Sequence, residues 1–452
     1  MLPPVSGLDI AKRQIALFFL VKTKSACALF LGYLLTISAS AIAADSLNLR
    51  EAFRLALDGH PLVELRRGGI EAAQEDVEVA KWKRFPTVTA ENGQFIGHQS
   101  VTLTNSSQNT ATWRVQQPLW TGGKIETEID GMGLRKQAAE WSLIEVEQDL
   151  LTRVAQSYSD LVRLQDRVQI AVENLAEHQR LFDQIRRRTD QQVSSEADVA
   201  LAQARLQQAN TELTTLRAAA SNARSTLEQL VGMPVARVER VNTPAEPLRD
   251  IAEVLAAARA HAPALKRLEQ EREVAQNDVE AKRAQLYPNV SWRYEKFSGA
   301  ATVVPFDRML VVLDYQLGAG LSSMSAIGAA VKRAGMSANA IDAGMREVTE
   351  RTLNQYSEAR AFVDQIEPSK AYASAASGVM ASYLRQYTTG RKSWLDVMNA
   401  QREQTQARYS AVDVAAGVLL SSLKLDILTG RLNRASLLKS DPPRSAAQVL
   451  QQ

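Results

Sequence analysis

Apolar residues recur every seventh position through much of this chain. Val154, Leu161, Val168, Leu175 and Phe182 form one line, with Leu151, Tyr158 and Val172 on a second. Further on, Val199, Leu206, Leu213, Ala220 and Leu227 run beside Ala202, Ala209, Leu216, Ala223 and Leu230. A heptad period gathers such residues into a helix seam and implies left-handed supercoiling. It predicts a helix over 124–188, about 95 Å long at the usual rise per residue, and a second helix returning beside it. The many small seam residues let helices approach closely and pack on more than one neighbour. Val397, Ala411, Val418 and Leu425 repeat the arrangement late in the chain. There Thr388, Thr389 and Gly390 interrupt the pattern, and glycine tolerates the positive φ of a tight reversal. Ser393 can cap the returning helix, and Asp396 adds negative charge to its first turn. Pro368 falls inside the second long helix, where it is expected to kink or locally break the ladder.

In two places the period changes from helical to two. Val290, Trp292 and Tyr294 alternate with Ser291, Arg293 and Glu295, and Met309, Val311, Leu313, Tyr315 and Leu317 form a returning apolar face. A weaker version holds Val88 and Ala90, then Trp113, Val115 and Leu119, joined by a polar loop over 97–110. These read as strand pairs with one apolar face. Two readings fit them: a small soluble sheet packed on the helices, or strands long enough to span a membrane.

The chain contains this unit twice. Residues 58–61, 73–78 and 85–86 align with 260–263, 275–280 and 287–288 at an offset of 202. Further on the offset is 198: Arg153 meets Arg351, Tyr158 meets Tyr356, Asp198 meets Asp396, and Gly232 meets Gly430. Each copy runs in the same order. Short helices (47–58 and 61–84; 251–260 and 263–286) lead to a strand pair and then a long helical hairpin. The domain reading is a signal peptide over 1–43, a first repeat over 44–232, a linker over 233–250, a second repeat over 251–432 and a disordered tail over 433–452.

Composition alters this picture little. The chain is 45% apolar, 23% charged and only 6% aromatic, which suits long helices. Lys22 and Lys24 before the apolar run 25–38, then Ala41-Ile42-Ala43, read as an export signal. Without it, 49 basic residues face 49 acidic ones, so nucleic-acid binding has no electrostatic support. The only cysteine, Cys27, leaves with the signal. His60, His98, His178 and His261 lack metal-ligand spacing, and no cofactor site is recognisable. Gly122-Gly123 lacks the rest of any phosphate loop and reads as a strand-to-helix bend. No nucleophile–base arrangement stands out, so the chain reads as not an enzyme.

An exported chain with duplicated strand-pair-plus-hairpin units resembles the TolC family of outer-membrane efflux proteins. Its most specific parts are residues 387–397, YTTGRKSWLDV, together with Gly122-Gly123 and Leu428-Thr429-Gly430. The resemblance implies a mainly α fold with β: duplicated coiled-coil hairpins and four strands per chain, closing as a homotrimer into a twelve-stranded outer-membrane barrel. It implies an exit duct partnered by a periplasmic adaptor and an inner-membrane ABC transporter or proton-driven pump. The 390–397 wording is similar to members serving type I protein secretion. Drug or metal efflux is the alternative, and a periplasmic coiled-coil scaffold without a channel is one of a different class. The resemblance also implies site roles. Asp396, Asp198, Asn399, Tyr387, Lys392 and Arg391 would form the periplasmic gate, and Thr389, Gly390, Gln192 and Val193 the adaptor-contacting tips. Val290, Trp292, Tyr294, Val311, Leu313 and Tyr315 would face outer-membrane lipid. Gln192 departs from the tip glycine matched by Gly390, and Ala197 stands where a hydroxyl residue is common. Apart from the resemblance, Asp198 and Asp396 need do no more than favour helix N-termini.

Overall fold

The computed structural model describes residues 46–94, 109–241, 248–299, 306–315, 318–320 and 322–439. The signal segment, most of the 97–110 loop, His98, Leu317 and residues 440–452 lie outside them. The first repeat comprises α1 (Leu49–Gly59), α2 (Pro61–Trp82), β1 (Thr87–Gln94), β2 (Asn109–Trp120), α3 (Lys124–Asp190) and α4 (Glu196–Val231). The second comprises α5 (Ile251–His261), α6 (Pro263–Ala284), β3 (Asn289–Gly299), β4 (Phe306–Asp314), α7 (Ser322–Thr388) and α8 (Trp394–Leu428). A short α9 (Arg434–Lys439) follows.

Helix ends follow local chemistry. The Asn48 side chain accepts from Glu51 N–H at 2.8 Å to start α1, and Pro61 and Pro263 open α2 and α6. Gly232 and Gly430 take φ of +78° and +72° where the two returning helices stop. Gly122 and Gly123, at φ +59° and +86°, turn β2 into α3. A Cβ on Gly122 would come within 2.4 Å of the Tyr287 Cβ, so this bend requires glycine.

The helices form a row rather than a closed bundle. Towards the tips the order of neighbours is α4–α3–α8–α7, and towards the sheet it is α2–α3–α6–α7. The two 67-residue helices, α3 and α7, run the whole length, roughly 100 Å. The heptad lines form its seams: Leu151, Val154, Tyr158, Leu161, Ala202, Ala209, Leu213, Leu216, Leu227 and Leu230 are buried. Val172 is an exception, 38% exposed. Helix α7 continues across Pro368, contrary to the expected break. The lost N–H costs one ladder bond, and the Ser369 hydroxyl bonds the Ile366 carbonyl at 2.9 Å beside it.

The sheet is a four-stranded antiparallel meander, β1-β2-β3-β4. Its pairings Val88↔Val115↔Tyr294↔Met309 and Trp292↔Val311 gather the apolar residues on one face. The other face carries a chain of ion pairs across all four strands. Glu91 meets Arg114 at 3.4 Å, Arg114 meets Glu295 at 2.8 Å, and Glu295 meets Arg308 at 2.6 Å. Tyr315, expected among the lipid-facing strand residues, lies just past β4, and Thr110, expected in the loop, is already in β2.

Two boundary expectations need correction. Within the expected linker, Val235 and Val238 are buried in the core at the waist, and Val238 bridges to Leu47. The expected disordered tail is ordered over 434–439. Leu437 is buried there, and the Arg434 guanidinium donates to the Leu57 carbonyl and pairs with Glu147 and Asp58. A short polar segment hides such an anchor, because its partners lie hundreds of residues away in sequence.

Candidate functional site

The two hairpin tips come together at one end of the helical row. Both close the same way. Val193 N–H donates to Arg188 O at 2.8 Å, and Arg391 N–H donates to Gln386 O at 2.9 Å. Gln192 and Gly390, at φ +61° and +75°, occupy the left-handed position. Each returning helix then begins with a reciprocal capping box. The Ser393 hydroxyl donates to the Asp396 carboxylate at 2.8 Å and accepts from Asp396 N–H at 3.2 Å. Ser195 and Asp198 do the same at 2.9 and 3.2 Å. The missing hydroxyl at Ala197 therefore leaves this cap intact.

Asp396 is held below its ordinary range, first by the Ser393 hydroxyl and backbone hydrogen bonds, with the Lys392 charge adding to them. Lys392 does not bridge to Asp396; its ammonium sits over the Tyr383 ring, 4.3 Å from the centroid. Tyr387 is buried, stacks on Trp394 at 5.2 Å, and receives the Arg188 guanidinium at 4.8 Å from its ring centre. Its hydroxyl lies 3.4 Å from the Ser194 hydroxyl on the other tip. The structure thus brings Tyr387 to the first tip, while Asp396 and Asp198 each serve their own helix. Arg391, Thr389, Gly390, Gln192, Val193 and Asn399 are exposed at the end of the row.

Ser194, Arg188, Tyr383 and Trp394 belong to this cluster; none was given a role from the sequence, and Trp394 entered only within the 387–397 wording. Trp394 carried a usable signal, as the one large aromatic immediately after a capping serine. Ser194 and Arg188 carried none, because their roles depend on contacts with Tyr387 of the other hairpin.

At the opposite end the sheet leaves Val88, Trp113, Met309, Val311 and Leu313 more than half exposed, a contiguous apolar face that nothing among the described residues covers. Strands β1 and β4 keep free edges among the described residues. No helix among those residues is long and apolar enough to cross a membrane.

Comparison with known proteins agrees along nearly the whole chain. The sequence model of the family described as outer membrane efflux protein matches residues 53–233 and 254–431. The outer membrane efflux protein BepC of Brucella suis is 23% identical over 384 residues, covering 82% of both chains. The cobalt-zinc-cadmium resistance protein CzcC of Cupriavidus metallidurans is 24% identical over 343 residues, covering 73% of this chain and 79% of its own. Among solved structures, the outer membrane protein VceC of Vibrio cholerae superposes with a TM-score of 0.72 at 16% identity, over 84% of this chain and 96% of that one.

Proposed function

This chain belongs to the outer membrane efflux protein family, and on that premise we propose that three copies close into one continuous conduit. The protein lies in the outer membrane with its helical body in the periplasm, and it is a channel component rather than an enzyme. The observation that carries the closure is the sheet, with one bare apolar face, one face of ion pairs and two free edges. Free edge strands cannot sit in hydrocarbon, so such a sheet reaches lipid only as part of a closed barrel. Three four-stranded sheets make twelve strands, and three four-helix rows make the tunnel wall beneath. Val290, Trp292, Tyr294, Val311 and Leu313 then face lipid, and Tyr315 lies at the rim.

The duct accepts substrate from an inner-membrane pump through a periplasmic adaptor seated on the exposed tips, at Thr389, Gly390, Gln192 and Val193. The tip wording 390–397 supports type I protein secretion beside an ABC transporter. The named relatives favour metal or drug efflux as a second reading. Deleting the gene and assaying both culture-medium proteins and metal tolerance separates the two.

Closure is tested by a pair of substitutions at adjacent positions on opposite faces. Leu313→Arg places a charge in lipid, at a cost of about 2–4 kcal/mol near the midplane, whereas Asp314→Arg faces the interior. Heat-modifiable trimer on a gel should fall for the first and persist for the second; equal yields overturn the barrel.

The tips form the gate, with Asp396 and Asp198 ringing the axis and Tyr387, Lys392 and Arg391 bracing the closed state. Asn399, one turn along α8, adds no second ring of charge. Asp396→Asn tests this while keeping an acceptor for the cap: block of single-channel current by divalent cations should weaken. Unchanged block in an intact trimer leaves Asp396 as a helix cap only.

A further inference from the structure

A recess of about 850 Å³ opens at the waist of the row, where the lower helix α8 gives way to the upper helix α6. Arg66 of α2 and Arg351 of α7, from opposite edges of the row, both line it. Side chains from both edges can meet around one space only on the concave side of a curved row. The other face of α3 at this level, with Leu150, Leu151 and Val154, is already covered by α1.

The charges lining the recess are unequally satisfied. Arg267 is committed, at 2.7 Å to Glu145 and 2.6 Å to Glu271. Arg66, Arg351 and Lys424 have no ion-pair or hydrogen-bond partner among the described residues; Asp149 and the second carboxylate on Arg267 offset part of their charge, so the lining sets four cations against three carboxylates. Three unpaired cations from three helices thus converge on one concave space. Such a cleft concentrates field and favours anions, and guanidinium groups match carboxylate and phosphate oxygens geometrically. The recess also breaks the internal repeat: Arg351 matches Arg153, but Lys424 matches Thr226. The set therefore belongs to the junction between the repeats within one chain and occurs once per chain.

We propose that this recess is a binding site for a multivalent oxyanion, a solute bearing several carboxylate or phosphate groups. Arg66, Arg351 and Lys424 hold it, and Arg267 stays fixed by its own carboxylates as one wall. That the site opens into the conduit, and so holds anionic solutes in transit, rests on the channel reading given above.

The test uses the purified full-length protein in detergent, titrated calorimetrically with citrate and, separately, with pyrophosphate at low salt. Binding of at least one probe is expected, weakened about tenfold or more in the Arg351→Gln/Lys424→Gln variant, since each lost charge-assisted bond is large on that scale. Binding should also weaken as salt rises. Arg217→Gln, on the exposed face of α4, should leave it unchanged. The stronger of the two probes identifies carboxylate or phosphate as the preferred group. Absence of binding by both probes, or equal affinity in the double variant with the trimer intact, overturns the site. Bilayer recordings read the channel separately. Loss of binding in the variant together with no conductance in the parent would leave the recess standing and remove the conduit. Conductance without anion binding would do the reverse.

Discussion

The two hairpin tips share a backbone and differ in nearly every exposed side chain. Their closing hydrogen bonds, left-handed residue and serine–aspartate capping boxes match position for position. Around that frame, Thr189, Ser194 and Glu196 of the first tip stand where the second has Tyr387, Lys392 and Trp394. The second tip is therefore an aromatic wedge and the first is its seat. Leu181, Ile185 and Ala202 receive Tyr387, Trp394, Val397 and Met398 in one buried cluster. Duplication has preserved what the turn itself needs, and it has left free what makes two copies fit each other rather than compete for the same place. A row of identical hairpins would have no means of telling a neighbour within the chain from one in the next chain. Divergence at the tips supplies that distinction.

The largest effect should come from removing the wedge. Trp394 is 3% exposed, and Trp394→Ala should cost about 3–5 kcal/mol of local stability, read as hydrogen exchange of the tip amides. Glu196→Ala, at the matching exposed position, should stay within about 0.5 kcal/mol. Equal losses would show that the tips are interchangeable. The capping serines should behave in the opposite way, because the caps are what the tips share. Ser393→Ala and Ser195→Ala should each cost about 1 kcal/mol, and similar values sharpen the comparison. A loss confined to one tip would mean that packing, not the cap, holds that helix end.

How much of this was legible in the sequence follows from how far apart the partners lie. The heptad lines, the duplication and the serine caps are local or periodic, so they could be read directly, and so could the alternation that builds the sheet. The order of helices in the row could not be read, since α3 lies beside both α4 and α8 and the heptads alone do not rank those neighbours. The Tyr387–Ser194 contact, the anchoring of Arg434 on Glu147 and Asp58, and the meeting of Arg66, Arg351 and Lys424 all join residues from different elements. None leaves a spacing to find. Val172 is the converse case, a seam residue by period that the row leaves facing outward.

A smaller effect separates the left-handed positions. Gln192 holds φ +61° with a side chain, whereas Gly390 holds φ +75° without one and a Cβ there would touch nothing within 4 Å. Only backbone strain therefore distinguishes the two. Gln192→Gly should stabilise the first tip by about 0.5–1 kcal/mol, and Gly390→Ala should destabilise the second by a similar amount. The measurement is again exchange at the tip amides. A stabilising Gly390→Ala would show that the second turn is not held in the left-handed conformation.

The smallest effect sets the hairpins apart by pH. His178 on α3 is 7% exposed, and its repeat-mate on α7 is Ala376, equally buried. Burial, first, and the Arg205 charge from α4, second, hold the His178 imidazole below its ordinary 6.5. In the unfolded chain the ring titrates near that ordinary value. Between the two values the unfolded chain binds more protons than the folded one, so stability rises with pH across that window. The contribution is complete above about 6.5 and is lost as pH falls through the lowered folded value. Exchange protection of α3 around residue 178 should therefore weaken on going from pH 7.5 to 5, after correction for the intrinsic exchange rate. Protection of α7 around residue 376 should not change over the same range. His178→Gln should remove the pH response from the first hairpin while leaving its protection at pH 7.5 nearly unchanged. If His178→Gln keeps the response, acid sensitivity in this hairpin comes from carboxylates along the row, and the two hairpins differ in packing alone.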